Sequence, residues 1–310
     1  MLLVALVLAG AGCQQGGKSA AKAKPKLAFI TNGVASFWDI AKVGVEKAGE
    51  DLQADVTVLM PASGVVDQKQ MIEDLLIRGV NGVAISPIDP DNQTEILNKA
   101  AESTAMITVD SDAPHAQRLA YLGMDNYSAG RMAGELVKEA LPDGGSVVLF
   151  VGRIEQDNAK RRRQGLIDAL LDRPSDPNGF DEPGKELSNN KYRIVGTLVD
   201  QFDRAKAKSN VEDTLTRYAD LGCMVGLFAY NPPIILEALE RAGKLGKVKV
   251  VGFDEADETL RAIAEGHAVG TVVQNPYEYG YRSMVLLNQI VRGDRSGIPH
   301  SGFIDIPAPV

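Results

Sequence analysis

The sequence predicts an α/β protein made of two doubly wound lobes, each with a parallel β-sheet covered by helices on both faces. Three observations support this prediction. Short apolar runs alternate with longer amphipathic stretches, as in βαβ units. After about five apolar runs, the alternation starts again near residue 146. The 310 residues are also enough for two domains with sizeable cores.

The composition excludes several classes of function. Hydrophobic residues make up 45% of the chain and the formal net charge is −8, which argues against nucleic acid or an anionic membrane surface as a partner. The 2 cysteines exclude a disulfide framework or a zinc cluster. His115, His267 and His300 lie far apart and show no metal-ligand spacing. We therefore expect neither a metal nor a cofactor.

The first residues predict a targeting segment. Residues 1–12 form an apolar run that is too short to span a bilayer and is typical of a signal peptide. With Cys13 the run reads LAGAGC, which resembles the lipobox of bacterial lipoproteins, although Gly10 stands where that motif usually has Leu. The resemblance implies acylation of Cys13 and an extracytoplasmic protein whose membrane contact is the lipid anchor. A plain cleaved signal peptide is the alternative.

The first round of alternation begins after a Gly, Ala and Lys-rich stretch at 14–25, which we interpret as a flexible tether. Apolar runs bounded by polar or Gly-containing loops predict the strands, and helical apolar spacing predicts the helices. The predicted strands are residues 27–31, 56–60, 80–87, 106–110 and 119–123. The predicted helices are residues 37–52, 66–78, 91–102 and 128–140.

The second round follows the same pattern. Gly266 ends one of its helices and Pro276 begins the next. Residues 172–191 are rich in Pro, Gly, Asn and Asp, which predicts a surface insertion. The predicted strands are residues 146–152, 194–199, 224–230, 249–253 and 268–273, with a closing run at 303–307. The predicted helices are residues 158–171, 205–218, 232–242, 256–265 and 276–292.

Polar and aromatic side chains follow the strands of both rounds. In open α/β sheets, ligands bind at the carboxyl ends of the strands, so we expect these side chains to converge. At helical spacing, Asn158 and Arg162 share one face. The candidate binding residues are Asn32, Phe37, Trp38, Asp110, Ser111, Asn158, Arg162, Phe202, Asn231, Asp254 and Gln274.

The chemistry of this set suits a sugar. Aromatic rings stack on the C–H faces of a sugar ring, while carboxylates, amides and guanidinium groups bind its hydroxyls. Structural roles are the alternative for single members: Asp254 as a helix cap, Gln274 as a turn residue and Trp38 as a core aromatic.

The order and spacing of these segments carry a family resemblance over about residues 26–307. The chain resembles the type I periplasmic sugar-binding proteins of the ribose- and galactose-binding group, which are the receptors of ABC transporters. The motifs are TNGVASFW, LLIRGVNGVAISPID, ITVDSDAP, LGMDNYSAGR, NAKRRRQG, QFDRA, LFAYNP, VVGFD and VVQNP. The resemblance implies that Phe37, Trp38 and Phe202 stack on the sugar. It also implies that Asp110, Asn158, Arg162, Asn231, Asp254 and Gln274 bind its hydroxyls.

Two positions depart from the ribose receptors. Ser111 follows Asp110 where those receptors have an arginine, and Ala35 stands where they have an asparagine before the aromatic pair. Asn32 or Asp112 can compensate for these changes. The resemblance therefore implies a sugar receptor without naming the sugar.

The resemblance also implies a hinge of three segments, near 124–125, near 274–275 and near Phe303. Residues 1–25 would then precede a first lobe of 26–124 plus 275–302 and a second lobe of 125–274 plus 303–310. Closure of the lobes would trap one monosaccharide. A membrane permease would recognise the closed form, and the receptor itself would be a monomer.

Three other functions are compatible with an α/β core. A regulator of the lactose-repressor type needs a helix-turn-helix ahead of the core, where this chain has a signal-like run and a tether. A receptor for a signalling furanone or polyol, feeding chemotaxis, stays open. An enzyme is not expected, because the sequence has no nucleophile–base pair, Gly-rich phosphate loop or metal cluster, and so no catalytic residues are assigned.

Overall fold

The computed structural model describes residues 23–307. Cys13 and the predicted signal run lie outside the described residues. Within that range the chain forms two six-stranded sheets with helices packed on both faces. The predicted α/β fold with two doubly wound lobes is confirmed.

The elements follow one another in βαβ order. The first part of the chain contains β1 (Lys26–Ile30), α1 (Ser36–Leu52), β2 (Asp55–Leu59), α2 (Val65–Ile77), β3 (Gly82–Ile85), α3 (Thr94–Ser103), β4 (Ala105–Val109) and β5 (Tyr121–Gly123). The next part contains α4 (Asn126–Ala140), β6 (Gly145–Val151), α5 (Asp157–Leu170), β7 (Leu187–Ser188), β8 (Tyr192–Val199), α6 (Arg204–Arg217), β9 (Leu221–Gly226), α7 (Asn231–Arg241), β10 (Lys249–Phe253), α8 (Asp257–Ala264) and β11 (Gly270–Val272). The chain then adds α9 (Pro276–Val291) and β12 (Phe303–Asp305).

The first sheet has the strand order β12-β5-β4-β3-β1-β2, and all its pairs are parallel. Its inner strands are apolar along their length because helices cover both faces. Every residue of β3 is buried, as are the last four residues of β1 and of β4. We refer to this sheet and the helices packed on it as the first lobe.

The second sheet has the order β11-β10-β9-β6-β8-β7 and, with its helices, forms the second lobe. Its pairs are parallel except for β7, which pairs antiparallel with β8 at the sheet edge. This two-residue strand lies in the predicted insertion and was not predicted. A run as short as Leu187–Ser188 has no period of its own that a sequence pattern can detect.

The predicted place of the last strand is wrong. Residues 303–310 were assigned to the second lobe, but β12 pairs with β5 in the first sheet. The ring of Phe303 stacks on Tyr121 with centroids 5.5 Å apart, and the N–H of Ile306 donates to the oxygen of Gly123 at 2.9 Å. Ile306 is 1% exposed within the first core. Burial of these apolar side chains explains why the strand stays with the first lobe.

Close helix pairs stabilise each lobe. In the second lobe, α4 and α5 cross at Gly130 and Gly165, where a Cβ atom would overlap the backbone of Arg162 and of Tyr127. In the first lobe, α1 and α9 meet in the same way, with Gly44 against the backbone of Tyr277. Only glycine permits backbones to approach this closely. These contacts fix the position of α5, which carries Asn158 and Arg162.

None of the helices between residues 23 and 307 combines the length and apolar character needed to cross a bilayer.

Candidate functional site

A cavity of about 530 Å³ lies between the lobes, at the carboxyl ends of both sheets. All the predicted binding residues line it except Ser111 and Asn231. The first lobe contributes Asn32, Phe37, Trp38 and Asp110. The second lobe contributes Asn158, Arg162, Phe202, Asp254 and Gln274. The structure thus brings together side chains that are up to 242 residues apart, from Asn32 to Gln274.

Asp110 is the polar centre of the first lobe's wall. It follows β4 with a left-handed φ of 62° and is 3% exposed. Its Oδ2 accepts hydrogen bonds from Ser86 Oγ at 3.0 Å, Asn158 Nδ2 at 3.1 Å and Asn32 Nδ2 at 3.3 Å. Burial raises the pKa of this carboxyl to about 6, although the Arg162 charge and the bonds from Ser86 and Asn158 oppose the shift.

Asn158 spans the cleft at the start of α5. Its amide N–H bonds to Asp110 in the opposite lobe, whereas its Oδ1 is buried with no hydrogen-bond partner among residues 23–307. An unpaired buried amide oxygen costs about 1–3 kcal/mol.

Arg162 lies one turn along α5 and is 1% exposed. Its guanidinium donates to Asn126 Oδ1 at 2.8 Å, Gln274 Oε1 at 2.9 Å and the oxygen of Leu227 at 3.2 Å. It is also 3.8 Å from Asp110 Oδ1 and sits over the ring of Phe253 at 4.9 Å. These contacts hold the charge in one orientation, as a preorganised binding site requires.

Asp254 and Gln274 follow the neighbouring strands β10 and β11. Gln274 Nε2 donates to Asp254 Oδ1 at 2.7 Å, and Tyr279 Oη donates to Gln274 Oε1 at 3.1 Å. Asp254 has a φ of 66°, and burial raises the pKa of its carboxyl. Strained backbone and a desolvated carboxylate together are features of functional sites.

Aromatic rings line two sides of the cavity. On one side Trp38 packs edge-on against Phe37 at 4.9 Å, and its Nε1 donates to Asn32 Oδ1 at 3.1 Å. Trp38 is 3% exposed, so it belongs to the first core and also lines the cavity. On the other side Phe202 packs against Phe228 at 5.4 Å. A flat apolar ring between these walls would be contacted on two sides.

Ser111 and Asn231 lie behind the cavity wall. Ser111 is fully buried, and its Oγ accepts the backbone N–H of Asn158 at 3.4 Å. Asn231 accepts the N–H of Phe228 at 3.1 Å and donates to Asp200 at 3.3 Å. In this structure both residues orient the cavity-lining residues beside them.

Several residues of the site were not predicted. Arg153, Arg204, Tyr230 and Glu258 line the cavity, and Asn126 and Asp200 support it from behind. Arg153 could have been found from the sequence, because it comes directly after the strand predicted at 146–152.

The buried Asp200 and the half-buried Tyr230 form a hydrogen-bonded pair beside Phe202. Tyr230 Oη donates to Asp200 Oδ1, and the Phe202 N–H donates to the same oxygen at 2.9 Å. Burial raises the pKa of Asp200 to about 6 and also raises the pKa of the Tyr230 hydroxyl. The pair holds Gln201 and Phe202 in left-handed conformations, with φ of 59° and 62°, so that the Phe202 ring faces the cleft.

No cluster of three or more His, Cys, Asp or Glu side chains arranged to hold a metal occurs in the described part of the chain. Cys223 is buried in the second core, and burial raises the pKa of its thiol to about 12. A thiol that remains protonated is a poor nucleophile.

Comparison with protein families matches residues 27–295 to the periplasmic binding protein domain. The ribose import binding protein of Haemophilus influenzae is 26% identical over 264 residues, which cover 84% of this chain and 82% of that protein. The Escherichia coli ribose import binding protein is 24% identical over 281 residues, covering 89% and 88%. These relatives are named as binding proteins and not as enzymes.

Solved structures share the fold. A solute-binding protein of an ABC transporter from Burkholderia graminis, in complex with D-arabinose, superposes with a TM-score of 0.81 at 26% identity, covering 92% of this chain and 94% of that one. A glucose-galactose binding protein from Geobacillus stearothermophilus gives 0.81 at 22% identity, covering 93% and 97%. The chain belongs to the periplasmic binding protein family and has its type I fold.

Proposed function

We propose that the chain is an extracytoplasmic receptor that captures one monosaccharide between its lobes and delivers it to an ABC importer. The observation that carries this proposal is the convergence of Asp110, Asn158, Arg162, Asp254 and Gln274 in one buried cluster of hydrogen-bonding groups from both lobes. Each of these residues also lines the cavity between the lobes.

The strength expected of such a site agrees with a receptor. Hydrogen bonds between charged side chains and neutral hydroxyls contribute about 1.5–3 kcal/mol each. Several such bonds, with aromatic contacts from Phe37 and Phe202, would reach about −8 kcal/mol, which corresponds to micromolar affinity, after the cost of ordering the ligand. The relatives named for ribose import support the sugar class.

Binding and release would occur by a hinge motion of the two lobes. The proposed crossings are near 124–125 and near 274–275, where the chain passes between the two cores. The third expected crossing, near Phe303, falls within the first lobe, because β12 pairs with β5. The bond between Asn158 and Asp110 and the ion pair between Lys160 and Asp91, at 3.1 Å, join the lobes and support a closed conformation. The permease would bind this closed form.

The remaining parts of the proposal concern the ends of the chain and its assembly. Acylation of Cys13 would anchor the receptor to the membrane, and the receptor would act as a monomer. The acidic net charge of −8 is consistent with a protein that does not bind nucleic acid.

Intrinsic fluorescence tests the proposal, because Trp38 is the only tryptophan of the sequence and lines the cavity. Titration with a panel of pentoses, hexoses, polyols and sugar acids should give a saturable change with one class of sugar at micromolar concentration. Calorimetry of the same panel would detect a sugar that binds without changing the fluorescence. Binding of no sugar in either measurement would contradict the proposal.

A further inference from the structure

The cavity extends beyond the cluster around Asp110, Arg162 and Asp254. Its lining also includes Pro61 and Ala62 of the first lobe and Arg153 and Arg204 of the second lobe. The cavity therefore has space beyond that cluster.

Two arginines line this remaining space. Arg153 follows β6 and Arg204 begins α6 after β8, and these strands are neighbours in the second sheet. The guanidinium of Arg153 lies 5.8 Å from the centre of the Phe202 ring. Within residues 23–307, neither arginine makes an ion pair or a side-chain hydrogen bond, and the Nε of Arg153 is buried without a partner. The Nε of Arg153 is enclosed by protein, so the donors available to a ligand are the Nη groups of Arg153 and the guanidinium of Arg204.

Arg153 also reaches the first lobe. A Cβ on Gly64 would lie 3.3 Å from the Nη2 of Arg153, so the guanidinium extends across the cleft to the N-terminus of α2. The carboxylate of Asp67 in the first turn of this helix bonds to the N–H groups of Ala62 and Ser63 and offsets the positive end of the helix dipole. The positive charge at this end of the cleft therefore comes from the arginines.

The acidic groups lie toward the other end of the cleft. Asp254 and Glu258 follow β10 and line the cavity. In the second sheet, β9 lies between β10 and β6, and both β9 and β6 lie between β10 and β8. At about 4.8 Å per strand, the ends of β10 and β6 are about 10 Å apart. Asp254 and Glu258 therefore line one end of the cleft and Arg153 and Arg204 the other, while Asp200 lies behind the wall beneath Phe202.

We propose that Arg153 and Arg204 form an anion subsite, and that the ligand is a monosaccharide that carries a carboxylate or a phosphate. This inference rests on the proposed function as a sugar receptor. The hydroxyls of the sugar would bind Asp110, Asn158 and Asp254, and the anionic oxygens would bind the two guanidinium groups. Arginine pairs with carboxylate and phosphate through parallel N–H donors, which adds specificity as well as affinity.

Calorimetry with matched ligand pairs tests the subsite. The pairs are D-galactose and D-galacturonate, D-glucose and D-glucuronate, and D-ribose and D-ribose 5-phosphate. In at least one pair, the acidic member should bind about tenfold tighter or more. That preference should weaken as salt is raised, because ions screen the partly exposed arginines. Whether the uronates or the phosphate show the preference identifies the anionic group.

The variants Arg153→Gln and Arg204→Gln should each lower the ratio of acidic to neutral affinity by about tenfold. Arg295→Gln is the matched control. It removes the same charge, and Arg295 is an exposed arginine that does not line the cavity. Thermal unfolding checks that each variant is folded.

Two results separate this inference from the proposed function. Neutral sugars that bind as tightly as their acidic partners, with ratios unchanged in both variants, would overturn the anion subsite and leave the sugar receptor intact. Binding of no member of any pair would overturn both.

Discussion

Asn158 Nδ2 of the second lobe donates to Asp110 Oδ2 of the first lobe at 3.1 Å, and both side chains line the cavity between the lobes. The bond joins the two lobes, while the Oδ1 of Asn158 is buried without a partner among residues 23–307. One side chain therefore both lines the cavity and links the lobes.

This relationship predicts the effect of Asn158→Ala. The variant loses the bond between lobes and a polar group of the proposed binding site, so its sugar affinity should fall by about 10- to 100-fold. Calorimetric titration measures the change. Asn178→Ala is the control, because Asn178 is an exposed asparagine of the insertion and does not line the cavity. Equal affinity in the two variants would contradict a role for Asn158 in the site.

The buried carboxyl of Asp110 predicts a pH-dependent stability. Burial raises its pKa from the ordinary 3.8 to about 6 in the folded protein, so the folded state retains a proton that the unfolded chain releases. This contribution to the free energy of unfolding is present below about pH 4 and is lost as the pH rises through about 6. The shift corresponds to about 3 kcal/mol.

Denaturant unfolding of the wild type and of Asp110→Asn between pH 4 and 7 checks this prediction. The asparagine has no proton to lose, so the stability of the wild type relative to the variant should decline across that range. A constant difference would show that Asp110 does not titrate there.

The sequence predicted the residues that line the cavity better than it predicted the borders of the lobes. Asp110, Asp254 and Gln274 come directly after apolar runs, and the carboxyl ends of parallel strands meet at one edge whatever the order of the strands. Strand order itself depends on packing between distant segments. For this reason β12 was assigned to the wrong lobe, since nothing near Phe303 in the sequence indicates its stacking on Tyr121.

The same reason explains the residues that were missed. The hydrogen bond between Asp200 and Tyr230 joins side chains 30 residues apart on neighbouring structural segments, and only the fold makes their contact visible. Ser111 and Asn231 have residue types that suit a binding site, yet in the structure they hydrogen-bond to residues in the wall. A polar residue after a strand can face either the cleft or the backbone that supports it.

The crossing of α4 and α5 predicts a coupled loss of stability and binding in Gly165→Ala. The added methyl group would overlap the carbonyl oxygen of Tyr127 and displace α5, which carries Asn158 and Arg162. Overpacking of this kind costs about 1–3 kcal/mol. The melting temperature, measured by thermal unfolding, and the sugar affinity, measured by titration, should both fall. Gly184→Ala is the control: its Cβ meets open space, so stability and affinity should both stay unchanged. A Gly165→Ala protein as stable as the wild type would contradict the close packing of α4 and α5.

The central claim is that the buried carboxylates serve ligand binding at the expense of stability, and Asp254→Asn tests it most directly. Asparagine tolerates the left-handed backbone at this position and removes a desolvated charge, so the melting temperature should stay the same or rise. Calorimetric titration with the sugar that binds the wild type should show affinity reduced at least tenfold, because a charge-assisted hydrogen bond is lost. Unchanged affinity in a folded Asp254→Asn protein would contradict the account.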